Sequence, residues 1–149
     1  MKKGVLIGLF IFLCLFGVAD SWYIYANEEN QTALTCDITG LDGCNAVAQS
    51  QYSQVLGIPL ALYGVLFYGL LFTLVASTAF THKRLAYRSL YWLTAGGAVA
   101  SFVFILIQLL IIKAICIYCF ASAGASFLLL GIAFVLYRRY APPPLAVVG

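Results

Sequence analysis

The sequence predicts an all-α membrane protein built as a four-transmembrane-helix bundle. Three observations predict it. The chain has 149 residues, 64% of them hydrophobic and 9% charged, with a mean hydropathy of +1.01. Soluble domains carry about 25% charged residues, and eight basic plus five acidic side chains cannot cover the surface of a soluble fold this long. The apolar residues fall in four runs, each long enough for the roughly 20 residues that a helix needs to cross a bilayer. The weakly alternating ten-residue pattern of a membrane β-barrel is absent, and an open sheet would leave backbone groups unpaired in hydrocarbon. The length suits one domain over residues 1–149, with no room for a second.

The first run spans about residues 4–26 and is interrupted near its end by Asp20 and Ser21. Its start resembles a secretory signal peptide, with Lys2 and Lys3 before an apolar stretch and small residues near Ala19. Cleavage would leave three spans and break the charge pattern below, so the run is read as a helix. The polar segment 27–56 is the long outer loop, with Gly40, Gly43 and two cysteines. Asn30-Gln31-Thr32 within it fits a glycosylation acceptor, a three-residue pattern common by chance. The second, third and fourth spans cover about 57–80, 89–112 and 114–137. The prolines at 142, 143 and 144 stop the last helix.

Charge orients the spans. Lys2 and Lys3 precede the first; Lys83, Arg84 and Arg88 lie between the second and third; Arg138 and Arg139 follow the fourth. Seven of the eight basic residues thus share one side, which the positive-inside rule assigns to the cytoplasm. Lys113 and all five acidic residues (Asp20, Glu28, Glu29, Asp37, Asp42) fall on the other. The expectation is a multi-pass membrane protein with both termini cytoplasmic and its active site on the periplasmic or extracellular side, or in the endoplasmic reticulum lumen of a eukaryote.

Four of the five cysteines share that outer side. Cys14 lies mid-span and reads as a small buried hydrophobe. Cys36 and Cys44 sit in the outer loop, and Cys116-Ile117-Tyr118-Cys119 opens the fourth helix. The outer compartment is oxidising, so two structural disulfides are one reading. That fits Cys36 and Cys44 better than the Cys-x-x-Cys pair, whose small ring constrains little chain entropy. Such pairs are more often catalytic, and a helix N-terminus, with Lys113 near, favours a thiolate. A four-cysteine zinc site is a third reading, disfavoured because one pair lies at membrane depth. Thiols at a membrane boundary suggest an electron route from a soluble thiol to a lipid-soluble acceptor. The small residues 120–126 after Cys119 allow close helix packing or room for a flat ring, and Gly96 and Gly97 carry the same packing reading.

The motifs resemble one family. Cys36-Asp37, Cys44-Asn45-Ala46-Val47, Ser50-Gln51-Tyr52, Gly57-Ile58-Pro59, Tyr63-Gly64 and Cys116-Ile117-Tyr118-Cys119 look like the vitamin K epoxide reductase family over about residues 5–137. They look closest to its prokaryotic branch, whose members couple disulfide formation to quinone reduction. The resemblance implies a short half-helix carrying Ser50 over the outer mouth of a quinone pocket. It implies that Cys36 and Cys44 are the shuttle pair, with Cys36 meeting the partner and Cys44 attacking Cys116. Cys119 would then face the quinone, and Ser50 would hydrogen-bond it. Tyr52, Tyr63 and Phe67 are candidates for the pocket wall, and Pro59 for the first position of the second helix. From its type alone, a serine after a loop is most often a cap or solvated.

Many prokaryotic members carry a fused thioredoxin-like domain; here the partner is expected to be a separate thioredoxin-like thiol protein. The vertebrate enzymes have an Asn and a Tyr against the naphthoquinone where this chain has Leu60 and Ala123. That favours a plain quinone, ubiquinone or menaquinone, over vitamin K epoxide, and implies lower sensitivity to coumarins. The functional expectation is a membrane thiol oxidoreductase passing electrons from the partner through Cys36/Cys44 to Cys116/Cys119 and on to a quinone, with no metal and no nucleic acid. The alternatives are a vitamin K quinone or epoxide reductase driven by luminal thiols, and a non-enzymatic membrane scaffold. The role of Asp37 stays open between tuning Cys36 and capping a turn.

Overall fold

The computed structural model describes residues 2–36, 43–80 and 83–143. Gly40, Asp37, Asp42 and Pro144 lie outside them. Four helices are long and apolar enough to cross a membrane: α1 (Lys3–Glu29), α3 (Leu60–Phe80), α4 (Arg84–Leu106), which a π-helical segment continues over Ile107–Ile112, and α5 (Ile117–Tyr140). A short α2 (Gly43–Ala48) and a two-stranded ladder of β1 (Gln54–Val55) with β2 (Ile58–Pro59) lie between α1 and α3. The chain is therefore an all-α membrane bundle with one small hairpin. α1 packs on α3 and α5, and α4 packs on the same two, so the four helices close into a ring.

The helix ends differ from the apolar runs for physical reasons. α4 begins at Arg84 rather than near Ser89, and α5 ends at Tyr140 rather than Tyr137. Hydrophobicity marks where hydrocarbon begins, whereas a helix continues into the interface while its Lys and Arg stems reach outward. α3 begins at Leu60 rather than Gly57 because Leu56 and Gly57 take positive φ (56° and 77°) and turn β1 into β2. Pro59, with no N–H to donate, sits immediately before the helix. α5 starts at Ile117 rather than Ala114. Lys113 closes the π segment in the left-handed region (φ 55°), and Cys116 is the extended N-cap of α5.

The bundle is filled in one half and hollow in the other. Leu6, Phe10, Leu13 and Cys14 of α1 meet Tyr68, Leu71 and Val75 of α3, Tyr87 and Leu90 of α4, and Leu129, Ala133 and Leu136 of α5 in one buried core. Cys14 is thus a core residue. Basic side chains gather at this closed end. Lys3 donates to Thr78 O at 3.2 Å and lies 5.5 Å from the Tyr87 ring centroid. Arg84 donates to the Tyr137 hydroxyl at 3.4 Å, and Arg138 lies over Phe134. Outward-facing residues such as Phe12 (65% exposed), Val99 (65%) and Leu110 (69%) would be a liability in water and are solvated in lipid.

Tyr68 is the floor between the two halves. Its hydroxyl donates to Ser122 O at 2.8 Å and lies 2.9 Å from both the Ser122 and Ser126 hydroxyls. Its ring fills the space beside Gly17, where an added Cβ would lie 2.6 Å from three ring atoms. With the hydroxyl tied to α5, the ring cannot retreat. Gly17→Val is expected to lower stability by about 1–3 kcal/mol through overpacking, read as a lower thermal midpoint in detergent. Tyr68→Phe is expected to cost about 0.6–1.7 kcal/mol, the range for hydrogen bonds between membrane helices, with the bundle intact.

Candidate active site

The open half of the bundle encloses a cavity of about 380 Å³, within the usual range of roughly 300–1,000 Å³ for small-molecule sites. Its walls are mostly apolar: Leu60, Ala61, Phe67, Gly97, Ala100, Phe104, Ile105 and Ala123 face it. Phe67 leans on α4 at Gly97, where an added Cβ would collide with the ring tip. Both Leu60 and Ala123 lie in this wall, so these positions offer it no hydrogen-bonding group.

The cysteines sit at one end. Cys36 and Cys44 form a disulfide with a Cα–Cα separation of 6.3 Å, while Cys116 and Cys119 are free thiols. Cys36, Cys44 and Cys116 share one buried cluster with Leu34, and Cys119 packs against it. Cys44, Cys116 and Cys119 all line the cavity. Three local devices hold the two pairs together. Gly43 brings α2 onto the linker before α5 so closely that a Cβ there would lie 2.5 Å from Ile115 N and 2.6 Å from Ile115 O. Asn45 accepts from Leu34 N at 2.8 Å and donates back to Leu34 O at 3.4 Å, tying α2 to the segment before Cys36. Tyr118, inside the Cys-x-x-Cys, donates to Thr35 O at 2.9 Å and packs its ring on Tyr23.

Cys116 is the N-cap of α5, and its sulfur accepts the Cys119 backbone N–H at 3.4 Å. The Cys116 thiol is drawn below the ordinary thiol range, chiefly by hydrogen bonding with the Cys119 thiol and next by that backbone N–H; burial opposes the shift. The backbone N–H groups at the helix start thus contribute, as the sequence suggests, but the main cause is the partner cysteine within the motif; Lys113 is exposed.

The remaining expected residues also reach the cavity: Ser50, Tyr52, Tyr63 and Phe67 all line it. Ser50 follows α2 rather than riding on it, because the helix ends at Ala48; its hydroxyl donates to Val47 O at 2.8 Å and caps the turn. The Tyr63 hydroxyl donates to Val55 O at 3.2 Å, anchoring the hairpin over α3. The polar lining groups that the sequence does not single out as site residues include Asp20, Glu28, Gln108, Ser101 and Tyr68. A polar interruption late in an apolar run was the available signal for Asp20 and Gln108, since polar groups within spans face the bundle interior. Gln108 is 4% exposed and sits in the π segment, a distortion frequent at functional sites. Its carbonyl accepts from the N–H groups of Lys113 and Ala114.

The protein-family model described as Vitamin K epoxide reductase family matches residues 8–134. Comparison with curated proteins finds no match.

Two outcomes check the geometry. In a Cys36→Ala, Cys119→Ala background, Cys44 and Cys116 are expected to crosslink readily under mild oxidation. Adding Gly43→Ala should cut the yield severalfold, read by gel mobility after thiol capping. Separately, alkylation of Cys116 in full-length protein is expected to follow thiolate formation with a midpoint below the ordinary thiol value. Cys119→Ala removes the main cause, so the midpoint should move to higher pH.

Proposed function

The chain belongs to the vitamin K epoxide reductase family, a family of membrane oxidoreductases, and we propose that it reoxidises a separate thioredoxin-like protein and passes the electrons to a quinone. One observation carries this reading. A disulfide, Cys36–Cys44, is packed onto Cys116, whose partner Cys119 borders an apolar cavity inside a membrane bundle. Thiol–disulfide exchange needs sulfurs that touch, and a lipid-soluble acceptor needs an apolar site reached from the membrane.

In this reading a thiolate of the reduced partner attacks Cys36 and releases Cys44. The partner's second thiol resolves the mixed disulfide and leaves oxidised. Cys44 attacks Cys116 of a Cys116–Cys119 disulfide and frees Cys119. Cys36 then attacks Cys44, restoring Cys36–Cys44 and freeing Cys116. The arrangement of one disulfide and two free thiols is the state reached at that point. The lowered pKa of Cys116 makes it a good leaving group in that last exchange. The dithiol then gives two electrons to the quinone and closes to a disulfide, so one partner dithiol is oxidised per quinone reduced.

Leu60 and Ala123 in the wall support a plain quinone, ubiquinone or menaquinone, as the acceptor. Ser50, Tyr52, Tyr63 and Phe67 would bound it, and Ser50 would hydrogen-bond a carbonyl by turning its hydroxyl away from Val47 O. The basic closed end is assigned to the cytoplasm with both termini, which puts the cysteines on the outer side.

Purified protein given a reduced thioredoxin-like donor is expected to bleach quinone absorbance stoichiometrically, and Cys119→Ala to abolish it. No reduction by the wild type, or reduction surviving Cys119→Ala, overturns the reading. In cells, Cys44→Ala should accumulate a mixed disulfide through Cys36 that a scaffold would not form. An impermeant thiol reagent applied outside should label Cys36 and Cys44 only after reduction.

A further inference from the structure

Among the described residues, three buried side-chain atoms have no hydrogen-bond partner: Asp20 Oδ2, Glu28 Oε1 and Gln108 Oε1. All three residues line the cavity. Buried hydroxyls elsewhere in the spans are satisfied locally: Thr78 donates to Val75 O at 2.7 Å and Thr94 to Leu90 O at 2.9 Å. The unmet polarity is thus concentrated in one place. Among the described residues Asp20 is the most buried carboxyl, 9% exposed. It lies two turns from Glu28 on one face of α1, with Ile24 between them, and all three side chains reach the cavity. Cys116 and Cys119 line the same cavity as Asp20. A carboxyl inside a membrane span is costly to keep, and such groups mark ion and proton routes.

Hydrogen-bonding chemistry narrows the role. A quinone carbonyl only accepts hydrogen bonds, whereas the reduced ring carries O–H groups that donate. The cavity must match both forms. Gln108 can present either face of its amide but cannot gain or lose a proton. A carboxyl donates when protonated and accepts when ionised, so it can switch as the ring does.

We propose that Asp20 is the proton carrier of this site, taking a proton from the Cys116/Cys119 dithiol and delivering it to a carbonyl oxygen of the acceptor. The inference rests on the quinone reading above. Two S–H bonds break and one S–S bond forms. The electron pair passes to the ring, whose two carbonyls become hydroxyls. Asp20 gives its own proton to the nearer carbonyl oxygen and is reprotonated by one thiol. The other thiol proton is exchanged with water at the mouth, where the farther oxygen takes up an equal one, so no net proton is made or consumed.

The test uses full-length protein in lipid nanodiscs, comparing wild type, Asp20→Asn and Asp20→Glu, with the Cys36–Cys44 disulfide and the thermal midpoint as folding checks. A short-chain ubiquinone is the probe. Its affinity is measured on protein whose four outer cysteines are oxidised, where no turnover occurs, and its reduction is measured in a single turnover of prereduced protein. Asp20→Asn is expected to bind the probe within about twofold of wild type, yet transfer electrons about 10²-fold or more slowly, the usual scale for a lost proton-transfer group. Added formate should speed the Asn variant in proportion to its concentration, and Asp20→Glu should retain most of the rate. A rate loss matched by the affinity loss, or a slow variant that formate does not rescue, overturns the proposal.

A second measurement needs no quinone. The prereduced protein is oxidised with diamide, and the infrared difference spectrum is recorded. A carboxylic acid C=O band that responds to disulfide closure and disappears in Asp20→Asn is expected; the same spectrum from both proteins overturns the assignment. Should wild-type protein reduce no quinone, the quinone reading fails by itself, and the infrared result alone decides whether Asp20 is coupled to the thiols.

Discussion

The candidate site depends on the backbone contact between Gly43 and Ile115. A disulfide in a loop and a dithiol on a helix are far apart in sequence, and no apolar stripe joins them. They become neighbours because α2 rests on the extended linker before Cys116 at a distance that leaves no space for a Cβ. Gly43 adjoins Cys44, and Ile115 adjoins Cys116, so this close backbone approach occurs one residue from each of the two cysteines. Asn45 and Tyr118 stiffen this junction by satisfying the backbone of Leu34 and Thr35. A membrane-facing loop must satisfy its polar backbone somehow, and here the groups that do so also align the two cysteine pairs.

Below that junction the bundle divides its labour. The half with the basic termini is packed with Leu, Phe and Val side chains and clamped by Lys3 and Arg84. The other half is hollow and carries the small or polar residues. Tyr68 separates the two by filling the gap that Gly17 leaves and spending its hydroxyl on α5. Packing between membrane helices comes from dispersion and close approach rather than from the hydrophobic effect. A filled half can therefore hold the helices together while the other half stays open without collapsing.

The spans were legible because bilayer thickness imposes a length and a composition that few other structures meet. The Cys-x-x-Cys and the loop pair were legible because thiol type and spacing carry chemistry directly. Tyr63 and Phe67 could be placed on one face by their four-residue spacing. Asp20 and Gln108 could not be read as cavity residues in the same way. A polar residue in an apolar run announces that it avoids lipid, but not whether it meets a partner, a neighbouring helix or a void. Gln108 is further displaced by the π segment, whose register does not follow a 3.6-residue period. The motif resemblance puts Ser50 on a half-helix, whereas the chain ends that helix two residues earlier and uses the hydroxyl as a cap.

By itself the sequence determined a four-helix membrane bundle and two cysteine pairs of thiol chemistry, because length, hydropathy and residue type act locally and survive without knowledge of the fold. Only the tertiary structure decided which sulfurs share a cluster, where the cavity opens, and that three unpaired polar atoms converge on it. Those properties arise from the distance between segments remote in sequence. That distance is set by whether a Cβ fits at Gly43, Gly17 and Gly97, a question each glycine answers only once its neighbour is in place.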